Sequence, residues 1–135
     1  MLFLEWEEKY SVGVEELDKQ HKVLVDILNE LFDAMLDRKG NEVLGKMISK
    51  MLDSTRAHFS REEKLMEKYG YPDLPLQRNE HRLFIEKILV FKSDFDGGRK
   101  LLSVKIITFF KTWLSQHFST ADKRYAQFFY EKGLS

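Results

Sequence analysis

The sequence predicts an all-α protein, an antiparallel up-and-down four-helix bundle with a short C-terminal helix and an N-terminal extended arm. Two observations carry this prediction. The 135 residues include only seven glycines and two prolines, which is too little turn chemistry for an all-β chain with many hairpins. Between a few breaks, apolar residues recur at intervals of three and four, the spacing that places them on one face of a helix.

A short polar break, residues 38–41, separates the first two predicted helices. The first is predicted over Glu15–Asp37, and Gly40 suits its end because glycine accepts the left-handed conformation common there. Its apolar positions are Leu17, Leu24, Val25, Leu28, Leu31, Phe32 and Met35. The second is predicted over Glu42–Lys68, with Asn41 as its N-cap. Its apolar positions include Val43, Leu44, Met47, Ile48, Met51, Leu52, Phe59, Leu65 and Met66.

The third helix is predicted to begin near Pro75, with Asp73 as its cap, and to end at the break Asp94–Gly98. Its apolar positions are Phe84, Ile85, Ile88, Leu89 and Phe95. The fourth is predicted over Arg99–Phe118, and its inward residues include Phe109, Phe110, Trp113 and Leu114. A shorter helix follows over Ala121–Glu131, and its aromatic residues, among them Tyr125, are expected to pack on the bundle. Four such helices facing inward bury their apolar faces together.

The composition excludes several classes of function. Lys and Arg number 22 and Asp and Glu number 22, so the chain lacks the positive field that drives nucleic-acid binding. The absence of cysteine rules out disulfides, thiolate zinc sites and iron–sulfur clusters. No apolar run approaches the roughly 18 residues of a membrane helix, and the N-terminus lacks a basic signal-peptide start. We therefore expect a cytoplasmic monomer, one domain over residues 1–135, without nucleic-acid or membrane partners.

Polar residues interrupt the apolar face of each long predicted helix. His21, His58, His81 and His117 each fall on the core side of a different helix, and Glu62 lies one turn after His58. Histidines placed at random would all face inward in about 3% of cases, since the apolar face covers about three positions in seven. A single inward histidine is more often a hydrogen-bonded core residue than a ligand, but four beside a buried carboxylate favour a metal site.

The donor types narrow the choice of metal. Nitrogen and carboxylate oxygen without thiolate suit iron, manganese or zinc. Asp122, five residues after His117, adds a second carboxylate. Four imidazoles and two carboxylates are more than one tetrahedral zinc uses, so two metal ions bridged by Glu62 and Asp122 use the donors more fully. The spacing alone does not select iron.

A set of short motifs runs in order along nearly the whole chain. They are Trp6, Val12-Gly13-Val14, Leu17-Asp18-Lys19-Gln20-His21, His58-Phe59 with Glu62-Glu63, Tyr71-Pro72 leading to His81, and Trp113-Leu114 with His117 and Asp122. Together they resemble the motifs of bacteriohemerythrins, a hemerythrin-like family. The resemblance implies a four-helix bundle with a non-heme di-iron site that binds O2 reversibly, for storage, delivery or sensing.

The resemblance also implies a role for each candidate site residue. The implied iron ligands are His21 and His58 for one ion and His81 and His117 for the other. Glu62 and Asp122 would bridge the two iron ions, together with an oxo or hydroxo group. The apolar wall of the O2 pocket would be formed by Phe59, Trp113, Leu114, Leu24 and Leu28. The expected ligands are O2 and other small diatomic or anionic molecules.

One position departs from the family pattern. The family usually has a histidine four residues before His81, where this chain has Gln77. The Gln77 amide oxygen is a weaker neutral ligand, and otherwise water or a carboxylate such as Glu63 or Glu80 would fill the position. The departure keeps an alternative open, a di-iron enzyme acting on peroxide or nitric oxide. A metal-sensing module and a metal-free bundle are the remaining alternatives.

Overall fold

The computed structural model describes residues 3–37, 41–97 and 104–135, which form five α-helices and a 3₁₀ turn at Glu8–Tyr10. The helices are α1 (Glu15–Leu36), α2 (Asn41–Tyr69), α3 (Leu74–Asp96), α4 (Val104–Ser119) and α5 (Ala121–Glu131). No strand occurs in the described residues, and none of their helices is long and apolar enough to span a membrane. The predicted all-α fold is confirmed.

The helix ends differ in detail from the predicted ones. α2 begins at Asn41, one residue before the predicted Glu42, and the Asn41 side chain, the predicted cap, lies outside what the structure describes. α3 begins directly after Asp73, as predicted, but the Asp73 side chain makes no capping hydrogen bond. The helix continues past Asp94 and ends at Asp96. Gly40 and the predicted helix start at Arg99 lie outside the described residues.

The long helices pack side by side around a common core. α1 packs against α2 and α4, and α2 packs against α3. α3 meets α4 through the stacked rings of Phe84 and Trp113, whose centroids lie 3.9 Å apart. Val43 and Leu89, predicted to face inward, are 44% and 38% exposed. They lie at the edges of their apolar faces, where the neighbouring helix does not cover them.

Two side chains of α1 hold the N-terminal arm, residues 3–14, against the bundle. The Asn29 amide donates to the Leu4 carbonyl at 2.8 Å and accepts from the Leu4 N–H at 2.9 Å. The Asp18 carboxylate accepts from the Val12 N–H at 2.8 Å and from the Ser11 hydroxyl at 2.6 Å. These hydrogen bonds satisfy the N–H and carbonyl of Leu4 and the N–H of Val12, which lie outside the 3₁₀ turn.

The core has two apolar parts with a polar layer between them. The larger part includes Leu24, Phe59, Phe84 and Leu114, and the smaller includes Leu17, Leu65, Leu74 and Tyr125. On α1, for example, His21 lies between Leu17 of the smaller part and Leu24 of the larger. The polar layer contains the candidate site, which is therefore closed on two sides by hydrocarbon.

Candidate metal centre

Four buried histidines meet at the centre of the bundle, one from each long helix. His21 belongs to α1, His58 to α2, His81 to α3 and His117 to α4. None of the four is more than 5% exposed. Each lies on the core side of its helix, as the spacing of apolar residues predicts.

Glu62 connects the histidines of three helices. It lies one turn after His58 on α2 and is fully buried. Its Oε1 atom lies 3.1 Å from His58 Nε2 and 3.4 Å from His81 Nε2. Its Oε2 atom lies 3.6 Å from His21 Nε2. A carboxylate buried this deeply is costly unless it is paired with a charge or bound to a metal ion.

Asp122 is the second fully buried carboxylate, in the first turn of α5. Its Oδ1 atom lies 2.9 Å from His117 Nε2, and its Oδ2 atom lies 3.2 Å from His21 Nε2. The two oxygens of Asp122 therefore face histidines on different helices. This is the arrangement a carboxylate needs to join two neighbouring metal ions.

The six side chains form two candidate metal-binding groups. The groups are His21, His58, Glu62 and Asp122, and Glu62, His81, His117 and Asp122. Within each group, the donor atoms lie within 4.8 Å of one another. The two groups share both carboxylates, and they divide the histidines as the family resemblance implies.

Seven buried polar atoms of this cluster have no hydrogen-bond partner among the described residues. They are Nδ1 and Nε2 of His21, Nε2 of His58, His81 and His117, Oε1 of Glu62 and Oδ2 of Asp122. Buried polar groups in folded proteins are nearly always satisfied, so seven in one place require an explanation. Metal ions bound at the four Nε2 atoms and the two carboxylate oxygens would satisfy six of them, whereas His21 Nδ1 points away from the centre. The donor types fit iron, manganese or zinc.

The outer nitrogens of three histidines have acceptors that sequence reasoning did not assign. These acceptors are Gln20 Oε1, 2.6 Å from His58 Nδ1, Glu63 Oε2, 2.8 Å from His81 Nδ1, and Glu80 Oε2, 3.3 Å from His117 Nδ1. Each acceptor comes from the helix before that of its histidine. An acceptor at Nδ1 keeps the proton there and leaves Nε2 with the lone pair that a metal ion needs.

Gln77 is buried on α3, and its amide contacts a carboxylate of the cluster. Its Nε2 atom donates to Asp122 Oδ1 at 2.7 Å. Glu63 and Glu80, the carboxylates considered for the same coordination position, instead lie beside the outer nitrogens of two histidines. The Gln77 amide thus joins the cluster through Asp122.

Tyr125 also contacts the cluster, although the sequence predicts only a packing role for it. The side chain is fully buried, and its hydroxyl donates to Glu62 Oε2. Burial raises the Tyr125 pKa well above its ordinary value, so the hydroxyl remains a donor. The available signal was the spacing, since Tyr125 lies three residues after Asp122 and shares its face of α5.

Aromatic rings lie flat against three of the histidines. Phe59 stacks on His81 with ring centroids 3.7 Å apart, and Trp113 stacks on His117 at 4.3 Å. Phe118, which sequence reasoning did not single out, stacks on His21 at 4.1 Å. Leu24, Leu28 and Leu114 are fully buried in the larger apolar part of the core. These rings and leucines separate the histidines from bulk water.

The protonation equilibria of the cluster are linked. Burial opposes protonation of His21, but the carboxylates of Asp122 and Glu62 outweigh burial and raise its pKa to about 9. Burial likewise opposes protonation of His117, yet the charge of Asp122 raises its pKa to about 10. Burial and the charge of Glu62 oppose ionisation of Asp122, but His117 outweighs them and lowers its pKa. Metal binding must therefore displace protons from these imidazoles.

The chain matches the hemerythrin HHE cation binding domain over residues 12–129. It is 30% identical over 126 residues to a bacteriohemerythrin of Stenotrophomonas maltophilia (strain R551-3), across 93% of this chain and 81% of the relative. It is also 30% identical over 120 residues to a hemerythrin-like protein of Naegleria gruberi, across 89% of this chain and 88% of the relative.

Solved structures show the same likeness. The fold superimposes on wild-type hemerythrin with a TM-score of 0.88 and 26% identity, covering 93% of this chain and 96% of the other. A single-residue variant of hemerythrin gives a TM-score of 0.89 at 26% identity, with 94% and 97% covered. Sequence and structural likeness therefore extend over the bundle and its buried histidine cluster, and the chain belongs to the hemerythrin family, whose members bind iron.

Proposed function

We propose that this chain binds O2 reversibly at a two-iron centre, for storage, delivery or sensing. The observation that carries the proposal is the pair of buried donor groups sharing Glu62 and Asp122. The hemerythrin family binds O2 through a di-iron site, and this chain has nitrogen and oxygen donors for two ions in the core of its bundle.

In this proposal the histidines divide between the two iron ions. His21 and His58 hold one ion, and His81 and His117 hold the other. Glu62 and Asp122 would offer oxygens to both ions, because the two donor groups share them. Bound iron supplies the electrons on which O2 binding depends. The protein supplies the neutral imidazoles, the two carboxylates and the surroundings that exclude water.

The outer acceptors prepare three histidines for this role. Gln20 holds His58 through Nδ1, and Glu63 and Glu80 hold two further rings in the same way. A fixed ring whose Nε2 atom points inward loses little conformational freedom when a metal ion binds. Tyr125 acts similarly on Glu62, because its hydroxyl holds one carboxylate oxygen in place.

The apolar wall limits the access of water to the bound ligand. Phe59 and Trp113 cover ring faces of the second pair of histidines, and Leu24, Leu28 and Leu114 fill the adjoining core. An apolar pocket admits O2, a small apolar molecule, more readily than it admits ions or several waters. We therefore assign these five residues to the O2 pocket.

Two surface grooves lead toward the cluster. One, of about 230 Å³, lies between α1 and α2 and is lined by Gln20, Val23, Leu24, Ser54, Ala57 and His58. The other, of about 370 Å³, lies between α2 and α3 and includes Phe59 and His81 in its lining. Each groove borders the outer side of a different histidine, because Gln20 lines the first groove and Glu63, the acceptor at His81 Nδ1, lines the second.

The test begins with the reduced, iron-loaded chain under anaerobic conditions. We expect two irons per chain and, on admitting O2, a visible absorption band that disappears when O2 is removed and returns when it is readmitted. Asp122→Asn weakens one bridging donor and should lower both the iron content and the band. The matched control is Asp53→Asn on the exposed side of α2, which should change neither.

Three results would contradict reversible O2 binding. Complete and irreversible oxidation on first exposure to O2 would favour the alternative, a di-iron enzyme acting on peroxide or nitric oxide. An iron content well below two per chain, at saturating iron, would contradict the two-iron centre itself. A metal-sensing module would hold the metal but show no band that depends on O2.

A further inference from the structure

Gln77 occupies the position where the family pattern has a histidine, and its contact defines its chemistry. Gln77 Nε2 lies 2.7 Å from Asp122 Oδ1. An ionised carboxylate can only accept hydrogen bonds, so the NH2 end of the amide must be the end that faces Asp122. The orientation of the amide thus follows from the charge of its partner.

The carboxylate oxygen that accepts from Gln77, Asp122 Oδ1, also faces His117. Asp122 Oδ1 also lies 2.9 Å from His117 Nε2, whereas Oδ2 lies near His21. A carboxylate oxygen has more than one lone pair, so Oδ1 can accept from Gln77 and still bind a metal ion. Gln77 therefore stabilises the orientation of Asp122 on the side of His117 without needing to contact the metal.

Gln77 contributes none of the buried atoms that lack a partner. Those seven atoms belong to the four histidines and the two carboxylates. Glu63 and Glu80, the neighbouring carboxylates, lie at the Nδ1 atoms of His81 and His117, away from the Nε2 atoms that face the centre. Among His, Asp and Glu of the described residues, both candidate groups contain two histidines and share the same two carboxylates.

We propose that Gln77 is a positioning residue for Asp122 and not a metal ligand, and that a small anion therefore binds at each of the two metal ions. The inference rests on the two-metal centre proposed above. A histidine at position 77 would give the ion at His81 and His117 one more protein ligand. With Gln77, that ion has the same protein donor set as the ion at His21 and His58, and each keeps a position for an exogenous ligand.

The experiment uses the Co(II)-loaded chain with azide as the anion, so that neither iron oxidation nor O2 enters the measurement. The visible spectrum of Co(II) reports its coordination number, and azide is titrated at saturating Co(II). We expect two azides per two Co(II) ions in the natural sequence. Gln77→His should reduce the number to one, because the added imidazole takes the position at one ion.

Gln77→Leu distinguishes positioning from ligation. The leucine side chain offers no donor atom. If Gln77 is not a ligand, the Gln77→Leu variant still binds two azides. It should bind Co(II) more weakly at one position, because Asp122 loses the hydrogen bond that supports it. Gln116→Leu, at an exposed position of α4, is the control for an added leucine and should change neither quantity.

The proposal is overturned if the unsubstituted chain binds only one azide. If Gln77→Leu then binds two, the amide oxygen of Gln77 occupied the second position. If Gln77→Leu also binds one, the proposal is contradicted as well. A chain that holds fewer than two Co(II) ions contradicts the two-metal centre and this inference with it. A chain that binds two azides but reacts irreversibly with O2 contradicts only the proposed function.

Discussion

Gln20 Oε1 lies 2.6 Å from His58 Nδ1, so the residue just before one candidate ligand supports the ligand of the next helix. The relationship recurs around the bundle. Glu63, just after Glu62, lies at the outer nitrogen of the α3 histidine, and Glu80, just before His81, lies at that of the α4 histidine. α1, α2 and α3 therefore each contribute a residue next to a candidate ligand, and that residue supports the histidine of the following helix.

Replacing Gln20 should weaken metal binding without unfolding the bundle. Gln20→Leu removes the acceptor of His58 Nδ1, so the ring loses its fixed orientation and tautomer. Loss of such a partner typically lowers metal affinity by about 10–100-fold. We expect a decrease of that size in a competition titration with a chelator, while the helical circular dichroism stays unchanged. Gln127→Leu on the exposed face of α5 should leave the affinity within about twofold, and an equal loss there would contradict the role of Gln20.

Tyr125→Phe should destabilise the metal-free protein. The change removes only the hydroxyl that donates to Glu62 Oε2 and leaves a buried carboxylate oxygen without its donor. Such a loss costs about 1–3 kcal/mol. Urea unfolding of the metal-free variant measures the cost directly. Tyr130→Phe is the matched control, since Tyr130 is 78% exposed and should lose less than about 0.5 kcal/mol.

The inward polar side chains of the centre were predictable because they interrupt the apolar side of a helix. His21 and Glu62 stand in stripes of apolar residues, and a polar residue on a buried face requires a partner. Helical spacing is regular enough to show which residues face the core of the bundle. Because a four-helix bundle brings four core-facing sides together, we expect the four histidines to lie near one another. The same regularity predicts the helices and the order in which they pack.

The supporting contacts were not predictable in this way. Tyr125 shares a helix face with Asp122, but it sits among other aromatic residues of α5, and its spacing does not show whether the hydroxyl makes a hydrogen bond. Gln20 and Glu63 lie at the boundary between core and solvent, where a small rotation of the helix decides which way a side chain turns. The exposed Val43 and Leu89 have the same origin, because spacing defines an apolar face but not how much of it a neighbour covers.

Asn29→Ala should loosen the N-terminal arm. The Asn29 side chain makes two hydrogen bonds to the backbone of Leu4, and its removal leaves a buried N–H and carbonyl without partners. We expect a loss of about 2 kcal/mol in the free energy of unfolding. Limited proteolysis should also cut the arm before Tyr10 faster than in the natural sequence. Asn79→Ala, at an exposed position of α3, should affect neither; arm cleavage at an unchanged rate in Asn29→Ala would contradict this anchoring role.

The metal-free protein should lose stability as the pH rises from about 6.5 to 9.5. The pKa values of His21 and His117 are raised in the folded state to about 9 and about 10, against about 6.5 in an unfolded chain. Between these values the folded state holds protons that the unfolded state releases, so the contribution of these two histidines to stability is fully present below about pH 6.5 and is lost as the pH passes through about 9 and 10. Urea unfolding at the two pH values should show a decrease of a few kcal/mol.

The metal-loaded protein is the control for this pH dependence, and it should behave differently. Its imidazoles bind metal in the neutral form, so they carry no second proton that could be lost as the pH rises. The metal should therefore remove most of the decrease seen in the metal-free protein between about pH 6.5 and 9.5. Metal addition near pH 7.5 to a weakly buffered solution should in turn release protons, because the ion displaces those held by His21 and His117. The prediction is contradicted if the pH profiles are equal with and without metal and no protons are released. These two imidazoles would then not change from protonated groups in the metal-free chain to ligands in the loaded chain.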